Sequence, residues 1–470
     1  MLELGRHAVA LSRWSGAWVA CKLVTSVADA EGTVVVAEPA PIVLPDGWEA
    51  SRVSGELITP ATLVRERDVA ERRLDAAARY GDANALNRLT VDPVRASLAI
   101  VAAGTVFSEL VEALRLLGLD EERLAALGVR LAEVRMPFPL GAAFCERLGA
   151  GVDEVIVVEE RRDLLEHQIL SFLGRRRGGP AIVGRRDEYG APFVPRHGAL
   201  GATALARLLQ PRLAARFGHA VRPAPRERVA ISVTGAAERV PWFCSGCPHS
   251  ASTRVPEGTL VGAGIGCHSI VTFMPEERVG RVVGLTQMGG EGAQWIGLAP
   301  FVNERHLVQN LGDGTFFHSG HLAVRAALAA GVPITFKILW NGASAMTGGQ
   351  PVEGATASPL ALAELLRLEG VERVVITTDD LRRYRRRRLP AGISVRPRSA
   401  LLAVQEDLAA VGGVTVLIHD QACATELRRA RKRGLAPTPK QKVVINERVC
   451  EGCGDCQVKS NCLSLQTVPT

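Results

Sequence analysis

The stretch Leu311-Gly312-Asp313-Gly314, followed later in the chain by Asn341-Gly342-Ala343, decides how this sequence is interpreted. Asp313 and Asn341 each come directly after a predicted strand, and ligands of parallel sheets collect beyond the carboxyl ends of the strands. Magnesium prefers hard oxygen ligands in octahedral geometry and usually keeps substrate phosphates as partners. The side chains of Asp313 and Asn341 and the main-chain carbonyl of Ala343 would suit it. The stretch therefore predicts a magnesium diphosphate site at the edge of a parallel sheet.

The residues around the aspartate support the same interpretation. Gly312 and Gly314 let the backbone turn tightly and approach a phosphate closely. A helix predicted to begin near Ser319 or Gly320 would offer N–H donors to the anion. A lone Gly-Asp-Gly indicates no more than a turn, whereas the asparagine at the end of the next strand favours a cofactor site.

Strands and helices alternate on both sides of this stretch. In the second half of the chain we predict strands at 281–285, 307–311, 334–339, 373–377 and 414–419, and helices at 292–300, 320–330 and 360–368. In the first half we predict strands at 97–103, 129–134 and 154–159, and helices at 108–116, 142–148 and 163–172. Such repeated units are typical of a parallel sheet with helices on both faces. We therefore expect an α/β protein with two doubly wound parallel-sheet domains and a short C-terminal segment.

The remaining segments give the expected domain boundaries. A helix at 8–27 leads into a strand at 33–36, and we interpret these residues as the end of a truncated domain. A proline-rich stretch at 39–45 and a helix at 60–80 precede the first sheet. Two close prolines mark 222–226 as a linker, because they fit neither a helix nor a central strand. The expected domains are 1–38, 39–228, 229–440 and 441–470.

The composition excludes several classes of protein. The 470 residues carry a net charge of +7, and the excess lies in short arginine runs. These runs are typical of solvated surface, and no aromatic platform or reader motif accompanies them, so nucleic-acid binding is disfavoured. We find neither a bilayer-spanning apolar stretch nor a signal peptide, and therefore expect a cytoplasmic protein. In a reducing compartment the ten cysteines predict metal or redox chemistry rather than disulfides.

Four of the cysteines could form one site. Cys244 and Cys247 make a C-x-x-C pair, Cys267 follows in Gly264-Ile265-Gly266-Cys267, and Cys423 comes much later. Four thiolates hold a [4Fe–4S] cluster or a structural zinc ion equally well by count, and buried free thiols are a third possibility. Spacing alone does not choose among these readings.

A second group of cysteines lies at the end of the sequence. Cys450, Cys453 and Cys456 have the close spacing that wraps three thiolates around a cubane, but Cys462 follows without the usual spacing or proline. Either Cys462 completes one cluster or only half of a ferredoxin-like module is present. The last two cysteines, Cys21 and Cys145, lie in apolar stretches predicted to be helical and are interpreted as small core residues.

The motifs together resemble a known superfamily. Asn341 followed by Ala345-Met346-Thr347-Gly348-Gly349-Gln350 resembles the diphosphate-binding domain of the thiamine diphosphate-dependent 2-oxoacid:ferredoxin oxidoreductases. Gln287-Met288-Gly289-Gly290-Glu291-Gly292 and Phe316-Phe317-His318-Ser319-Gly320 most resemble the long, fused type of indolepyruvate:ferredoxin oxidoreductase. The resemblance runs nearly end to end. It departs at Gly342, where a second polar residue is expected and where glycine could loosen the turn.

The resemblance implies an activity and a set of partners. The reaction would be oxidative decarboxylation of indolepyruvate or another 2-oxoacid, with coenzyme A as acyl acceptor and ferredoxin as electron acceptor. Residues 39–228 would resemble the C-terminal domain of transketolase, and 229–440 would bind thiamine diphosphate. A pyrimidine-binding domain with the activating glutamate and a γ-type domain are expected on other chains, and a dimer is expected. The chain alone would then be inactive.

The resemblance also implies the site residues. Magnesium would bind Asp313, Asn341 and the carbonyl of Ala343. One [4Fe–4S] cluster would bind Cys244, Cys247, Cys267 and Cys423, and another would use Cys450, Cys453, Cys456 and Cys462. The expected cofactor-binding residues are Gly289, Gly290, Glu291, Gly312, Asp313, Gly314, Thr315, Asn341, Ala343, Met346, Thr347, His249 and His268.

Some of these residues have simpler interpretations. His249, His268 and His318 border motif loops and could bind diphosphate or substrate, or could be neutral histidines hydrogen-bonded within the fold. Glu291 could be a carboxylate in the active cleft, but we favour a helix cap at the positive end of the dipole. Two further hypotheses for the whole chain stay open, namely a catalytically inactive cofactor-binding fragment and a zinc-stabilised interaction protein.

Overall fold

A computed structural model describes residues 1–35, 38–50, 55–174, 178–225, 241–352, 358–441, 444–453 and 456 of the chain. The chain forms two compact units, residues 1–232 and 233–470. The finer division into four domains stays a prediction. Across the described ranges, none of the helices has both the length and the apolar character needed to cross a membrane.

The first unit is built on a five-stranded sheet with the order β1-β3-β2-β4-β5. Its strands are β1 (Asn87–Val91), β2 (Leu98–Ala103), β3 (Val129–Val134), β4 (Glu154–Val158) and β5 (Ala181–Val183). The predictions for β2, β3 and β4 are confirmed to within one residue, whereas β1 and β5 were not predicted. The pairing of β1 with β3 is antiparallel and the other pairings are parallel. The first sheet is therefore parallel, as expected, except at this edge strand, which was not predicted.

Helices cover both faces of this sheet. They are α1 (Leu2–Ser15), α2 (Thr25–Ala28), α3 (Ala61–Arg67), α4 (Leu74–Ala83), α5 (Thr105–Leu116), α6 (Glu121–Ala126), α7 (Ala142–Gly149), α8 (Leu164–Leu173) and α9 (Ala202–Phe217). Alternate residues of β2 point to opposite faces. Ile100 therefore packs with α5 and α9, and Val101 packs with α7 and α8. This arrangement confirms the doubly wound architecture of the first unit.

The N-terminal segment differs from its prediction. Helix α1 ends at Ser15, because Gly16 adopts a left-handed conformation with φ of 70°. Residues 33–35 form no strand, and residue 36 lies outside the described residues. Leu11 of α1 packs against Ala77 and Tyr80 of α4. The helix predicted at 60–80 forms as α3 and α4, joined by a π-helical turn at Asp68–Arg73.

The second unit is built on a seven-stranded parallel sheet with the order β11-β10-β12-β9-β8-β6-β7. Its strands are β6 (Leu260–Ala263), β7 (Arg281–Leu285), β8 (Leu307–Gly312), β9 (Ile334–Trp340), β10 (Arg373–Thr378), β11 (Ile393–Pro397) and β12 (Val414–Asp420). Five of these were predicted to within one residue, whereas β6 and β11 were not predicted. Because β8 and β9 are paired in parallel, Asp313 and Asn341 follow neighbouring strands at the same edge.

The helices of the second unit complete the α/β fold. They are α10 (His249–Ser252), α11 (Glu276–Val279), α12 (Ala293–Leu298), α13 (Asp313–Thr315), α14 (His321–Ala330), α15 (Pro359–Leu368), α16 (Leu401–Ala409) and α17 (Ala424–Lys432). One face of the sheet packs Phe336 and Ile338 of β9 against α14 and α15. Gln405 of α16 contacts Lys337 on the other face. The sheet is thus covered on both sides, as expected.

Candidate functional site

The turn after β8 places Asp313 at the start of a helical run. Asp313 is the first residue of α13, a π-helical turn at Phe316–Gly320 follows, and α14 continues the run. The helix therefore begins six residues earlier than the predicted start near Ser319, since Asp313 itself is helical. The N–H donors at a helix start attract anions. The anion-binding end of this helix consequently coincides with the Gly-Asp-Gly motif.

The carboxylate of Asp313 joins the ends of two strands. Its Oδ1 accepts a hydrogen bond from the amide of Gly314 at 2.9 Å, and its Oδ2 accepts from the amides of Asn341 at 3.0 Å and Gly342 at 2.7 Å. Burial raises the pKa of Asp313 above its ordinary value, and these amide donors partly oppose that effect. The side chain is therefore a buried carboxylate that fixes one motif loop to the other.

The loop after β9 is equally well defined. Oδ1 of Asn341 accepts from the amide of Ala343 at 3.0 Å, so the side chain folds back over its own turn. Gly342 has φ of 74°, a conformation that glycine adopts without strain. Its amide makes the shortest of the hydrogen bonds to Asp313, so glycine does not loosen this turn.

The residues predicted to bind magnesium are oxygen donors of the kind that this ion prefers. Within the described parts of the chain, no three His, Cys, Asp or Glu side chains surround a common metal position. The predicted magnesium set includes only one such side chain, together with an amide oxygen and a main-chain carbonyl. Asp313 and Asn341 are held at one edge of the sheet by the hydrogen bonds described above, and Ala343 is buried beside them. Hard oxygen ligands of this kind suit magnesium.

Glu291 does not cap a helix. Helix α12 begins at Ala293 after Gly292, and no side chain makes a capping hydrogen bond there. Glu291 is fully buried, its Oε2 accepts from the amide of Gly289 at 2.7 Å, and its Oε1 has no hydrogen-bond partner. The carboxylate lies against Gly264 in the turn after β6, and burial raises its pKa. Glu291 therefore makes no capping hydrogen bond to α12, and a role for its carboxylate in the active cleft stays a prediction.

Among the three histidines, the structure brings only His268 against the Asp313 turn. A Cβ atom at Gly312 would lie 3.7 Å from Cε1 of His268, so the imidazole covers the start of this turn. Its Nε2 has no partner, and burial lowers its pKa to about 4. His249 is buried beside Ser252 with its pKa lowered to about 3, whereas His318 is exposed and contacts Ser319.

The other predicted cofactor residues lie in three loops. Thr315 donates from Oγ1 to the carbonyl of Ile265 at 3.1 Å, which ties the Asp313 turn to the turn after β6. Gly289 closely approaches Ser319, because an added Cβ would lie 2.8 Å from its Oγ. Gly290 adjoins it in the same loop. Met346 is 63% exposed, and Thr347 hydrogen-bonds within its own loop to Ser344 and Gln350.

Four of the cysteines come together in the second unit. Burial is the main cause that raises the pKa of Cys247 to about 12, and the thiols of Cys267, Cys244 and Cys423 raise it further. The pKa of Cys267 is raised to about 11 by burial and by Cys423 and Cys244. The amide of Cys423 donates to the carbonyl of Asn341 at 3.3 Å. The cysteine group therefore adjoins the Asp313–Asn341 site.

The remaining cysteines have different environments. Cys145 is buried in α7, which confirms it as a core residue, and burial raises its pKa to about 12. Cys21 is exposed and lies outside any helix, so its assignment to the core is wrong. Cys450, Cys453 and Cys456 are exposed, and Cys462 lies outside the described residues. The arrangement of the tail cluster stays a prediction.

Two buried polar residues behind the site were not predicted. Lys337 in the middle of β9 is fully buried, and its Nζ donates to Oε1 of Gln405 at 2.9 Å and to the carbonyl of Arg254 at 3.4 Å. Burial lowers the pKa of Lys337 to about 7. Asn310 pairs with Lys337 across β8 and β9 and is also fully buried. The sequence contained a signal for Lys337, since this basic residue interrupts an otherwise apolar strand.

Comparison with known proteins supports the resemblance derived from the motifs. Residues 88–223 match the family described as "Indolepyruvate oxidoreductase domain". Residues 264–383 match the family described as "Thiamine pyrophosphate enzyme, C-terminal TPP binding domain", and this region includes both Asp313 and Asn341. The two matches confirm the resemblance to the indolepyruvate oxidoreductases.

Relatives with curated names agree with these matches. The indolepyruvate oxidoreductase subunit IorA of Methanothermobacter thermautotrophicus is 27% identical over 402 residues, which cover 79% of this chain and 59% of that protein. The subunit of the same name from Methanothermobacter marburgensis is 25% identical over 489 residues, covering 97% of this chain and 73% of that protein. The chain thus spans little more than half of the first relative.

One solved structure with a partial match is a 2-oxoglutarate:ferredoxin oxidoreductase from Magnetococcus marinus. It is 17% identical, with a TM-score of 0.30, and the match covers 44% of this chain and 75% of that chain. A similarity with so low a TM-score carries no information about the site.

We predict that Glu291→Gln stabilises the second unit at alkaline pH. A carboxyl whose pKa is raised in the folded state stabilises the fold below its unfolded pKa and loses that contribution as pH rises through the folded value. The variant should therefore gain about 1 kcal/mol or more over the parent at pH 8, and the difference should shrink towards pH 5. Urea unfolding at several pH values measures it. Glu122→Gln, at an exposed position of α6, is the control; equal pH profiles for parent and Glu291→Gln would contradict the prediction.

Proposed function

We propose that this chain is the thiamine diphosphate-binding component of an indolepyruvate-type 2-oxoacid oxidoreductase. One observation carries the proposal: the carboxylate of Asp313 is hydrogen-bonded to the amides of Asn341 and Gly342. This contact puts a carboxylate and an amide oxygen at the ends of neighbouring parallel strands, where a magnesium diphosphate is expected. The thiamine pyrophosphate match over 264–383 and the IorA relatives point in the same direction.

In this proposal the residues of the motif loops bind the diphosphate. Asp313, Asn341 and the carbonyl of Ala343 would hold magnesium, and the start of the helical run at α13 would face the phosphate oxygens. The loop with Gly289 and Gly290 would approach the cofactor from the end of β7, at the edge of the sheet. When bound, thiamine diphosphate supplies an electron sink for decarboxylation of the 2-oxoacid.

Buried polar groups would control water and protons around the cofactor. His268 is neutral at pH 7, because burial lowers its pKa to about 4. Its Nε2 can therefore form a hydrogen bond while the imidazole stays uncharged. Oε1 of Glu291 has no protein partner and can hold a proton, because burial raises the pKa of the carboxyl. Met346 is the candidate for apolar contact with the cofactor, and it is exposed at the rim of the loop.

We also propose that Cys244, Cys247, Cys267 and Cys423 bind a [4Fe–4S] cluster. Their thiols influence one another electrostatically, yet no three of them, nor any other described His, Cys, Asp or Glu trio, are arranged as ligands of a single ion. In a cubane the thiolates bind different iron atoms, so they stand further apart than the ligands of a zinc ion. The resemblance of the motifs to the 2-oxoacid:ferredoxin oxidoreductases is the reason for proposing a cluster rather than structural zinc. A second cluster on the tail cysteines is part of the same proposal.

The activity would need further components. Coenzyme A would accept the acyl group, and ferredoxin would accept the electrons. The reaction would also use a pyrimidine-binding domain with the activating glutamate and a γ-type domain, within a dimeric cytoplasmic enzyme. The matched region covers 59% of the first relative, so the activity of the whole relative enters here as a proposal.

We predict that Asp313→Asn abolishes magnesium-dependent binding of thiamine diphosphate. Loss of a charged metal ligand should weaken binding by several kcal/mol, which is a factor of about a hundred or more. Calorimetric titration with thiamine diphosphate, with and without magnesium, measures this. Asp379→Asn, an exposed carboxylate near the end of β10, is the matched control and should bind like the parent. Unchanged, magnesium-dependent binding by Asp313→Asn would remove the proposal.

We predict that anaerobically purified protein contains a [4Fe–4S] cluster that Cys423→Ser removes. In protein from which residues 441–470 are deleted, iron and acid-labile sulfide, measured with the visible spectrum, should fall to near the background level when Cys423→Ser is added. Cys21→Ser changes an exposed thiol and should leave both unchanged. Deletion of 441–470 should leave the first cluster in place. Stoichiometric zinc without acid-labile sulfide in the parent protein would refute the cluster assignment.

A further inference from the structure

Behind the Asp313 turn, one face of the second sheet carries an unusual group of buried polar side chains. Asn310 and Lys337 are directly paired across β8 and β9, so their side chains leave the sheet on the same face. Gly312 lies on that face as well, two residues after Asn310, and His268 covers it. The group of Asn310, Lys337 and His268 is called the rear polar group below. It directly adjoins the turn that the proposed function assigns to diphosphate.

The hydrogen bonds of the rear polar group are incomplete. Oδ1 and Nδ2 of Asn310 and Nε2 of His268 make no hydrogen bond with any residue that the structure describes, although both side chains are almost completely buried. Lys337 donates to Gln405 and to the carbonyl of Arg254, but neither of these acceptors is a carboxylate. Buried polar groups without partners are costly and are usually retained for a reason other than stability.

Lys337 is the group in this layer that titrates near neutral pH. Lys337 interacts electrostatically with three other titratable side chains, those of His249, His268 and His419. Burial lowers the pKa values of these histidines to about 3, 4 and 4, respectively. Gln405 from α16 and Asn310 from β8 are uncharged. Burial is the cause that lowers the pKa of Lys337 to about 7, with no acidic group opposing it. The field of Lys337 reaches His268, and therefore the Gly312 turn.

We propose that Lys337 takes up a proton from solvent when a diphosphate binds at the Gly312-Asp313 turn, so that the rear polar group supplies a positive charge to the bound anion. The proposal rests on the function proposed above. An anion nearby favours the charged form of a buried amine, and this interaction is weakly screened in the protein interior. Asn310 is paired with Lys337 across the two strands and His268 lies against Gly312, so their unpaired atoms can orient towards the charge. Lys337 is thereby a positioning residue for the diphosphate rather than a catalytic residue.

Isothermal titration calorimetry of the full chain tests the proposal. Thiamine diphosphate is titrated with magnesium in pairs of buffers with different ionisation enthalpies, and the slope gives the number of protons taken up. If binding raises the pKa of Lys337 by about one unit, the parent takes up about half a proton more than Lys337→Met at pH 7.5. At pH 5.5 Lys337 is already charged, so this difference disappears. At that pH the parent should bind about tenfold more tightly than Lys337→Met.

Two further variants make the test specific. Asn310→Asp places a carboxylate beside Lys337, which should keep the ammonium charged before binding and abolish the proton uptake with the lysine still present. Lys432→Met removes an exposed lysine at the end of α17 and should behave like the parent. Diphosphate binding with equal proton uptake in the parent and in Lys337→Met would overturn this inference and leave the proposed function intact. Absence of diphosphate binding to the parent would overturn both.

Discussion

The hydrogen bonds from the amides of Asn341 and Gly342 to the carboxylate of Asp313 are the contacts on which the rest of the site depends. They join the loops that follow two neighbouring parallel strands, and they need both strands to end at the same level of the sheet. The register of β8 with β9 meets this condition. The amide of Cys423 then donates to the carbonyl of Asn341, which places the cysteine group against the same loop. A single carboxylate thereby organises the predicted metal ligands and their neighbours.

Desolvation is the main electrostatic constraint on this edge of the sheet. Burial raises the pKa values of Asp313 and Glu291 and lowers those of His268 and Lys337, so each group is shifted towards its neutral form. Amide donors oppose this effect at Asp313 and at Glu291, although Oε1 of Glu291 has no hydrogen-bond partner among the described residues. A protein that keeps several uncompensated polar groups in one place loses stability there. Binding an anionic cofactor and a metal ion would recover part of that loss.

The sequence predicted the regular parts of this fold well, because apolar strands alternate with helices throughout both units. Its failures have physical causes. Strand β1 contains Arg88 and Thr90 and pairs antiparallel at an edge, so it lacks the apolar run of a central strand. Helix α9 was missed because Pro211 lies inside it. Cys21 was assigned to a helix predicted at 8–27. The observed helix ends at Ser15, because Gly16 adopts a left-handed conformation.

The sequence predicted only part of the site. Spacing identified Asp313 and Asn341, because their positions after strands are visible in the sequence. The environment of Glu291 was not visible, since its burial depends on the turn after β6, which is distant in sequence. Lys337 was overlooked because it lies within an apolar strand. Its pairing with Asn310 depends on a strand register that only the fold reveals.

The most direct test is diffraction from crystals of the chain grown with thiamine diphosphate and Mn²⁺ in place of Mg²⁺, with data collected where manganese scatters anomalously. The account predicts one anomalous peak within coordinating distance of the Asp313 carboxylate and the Asn341 amide oxygen, with the diphosphate on the same ion. A diphosphate bound elsewhere, or a manganese peak remote from Asp313, would contradict it.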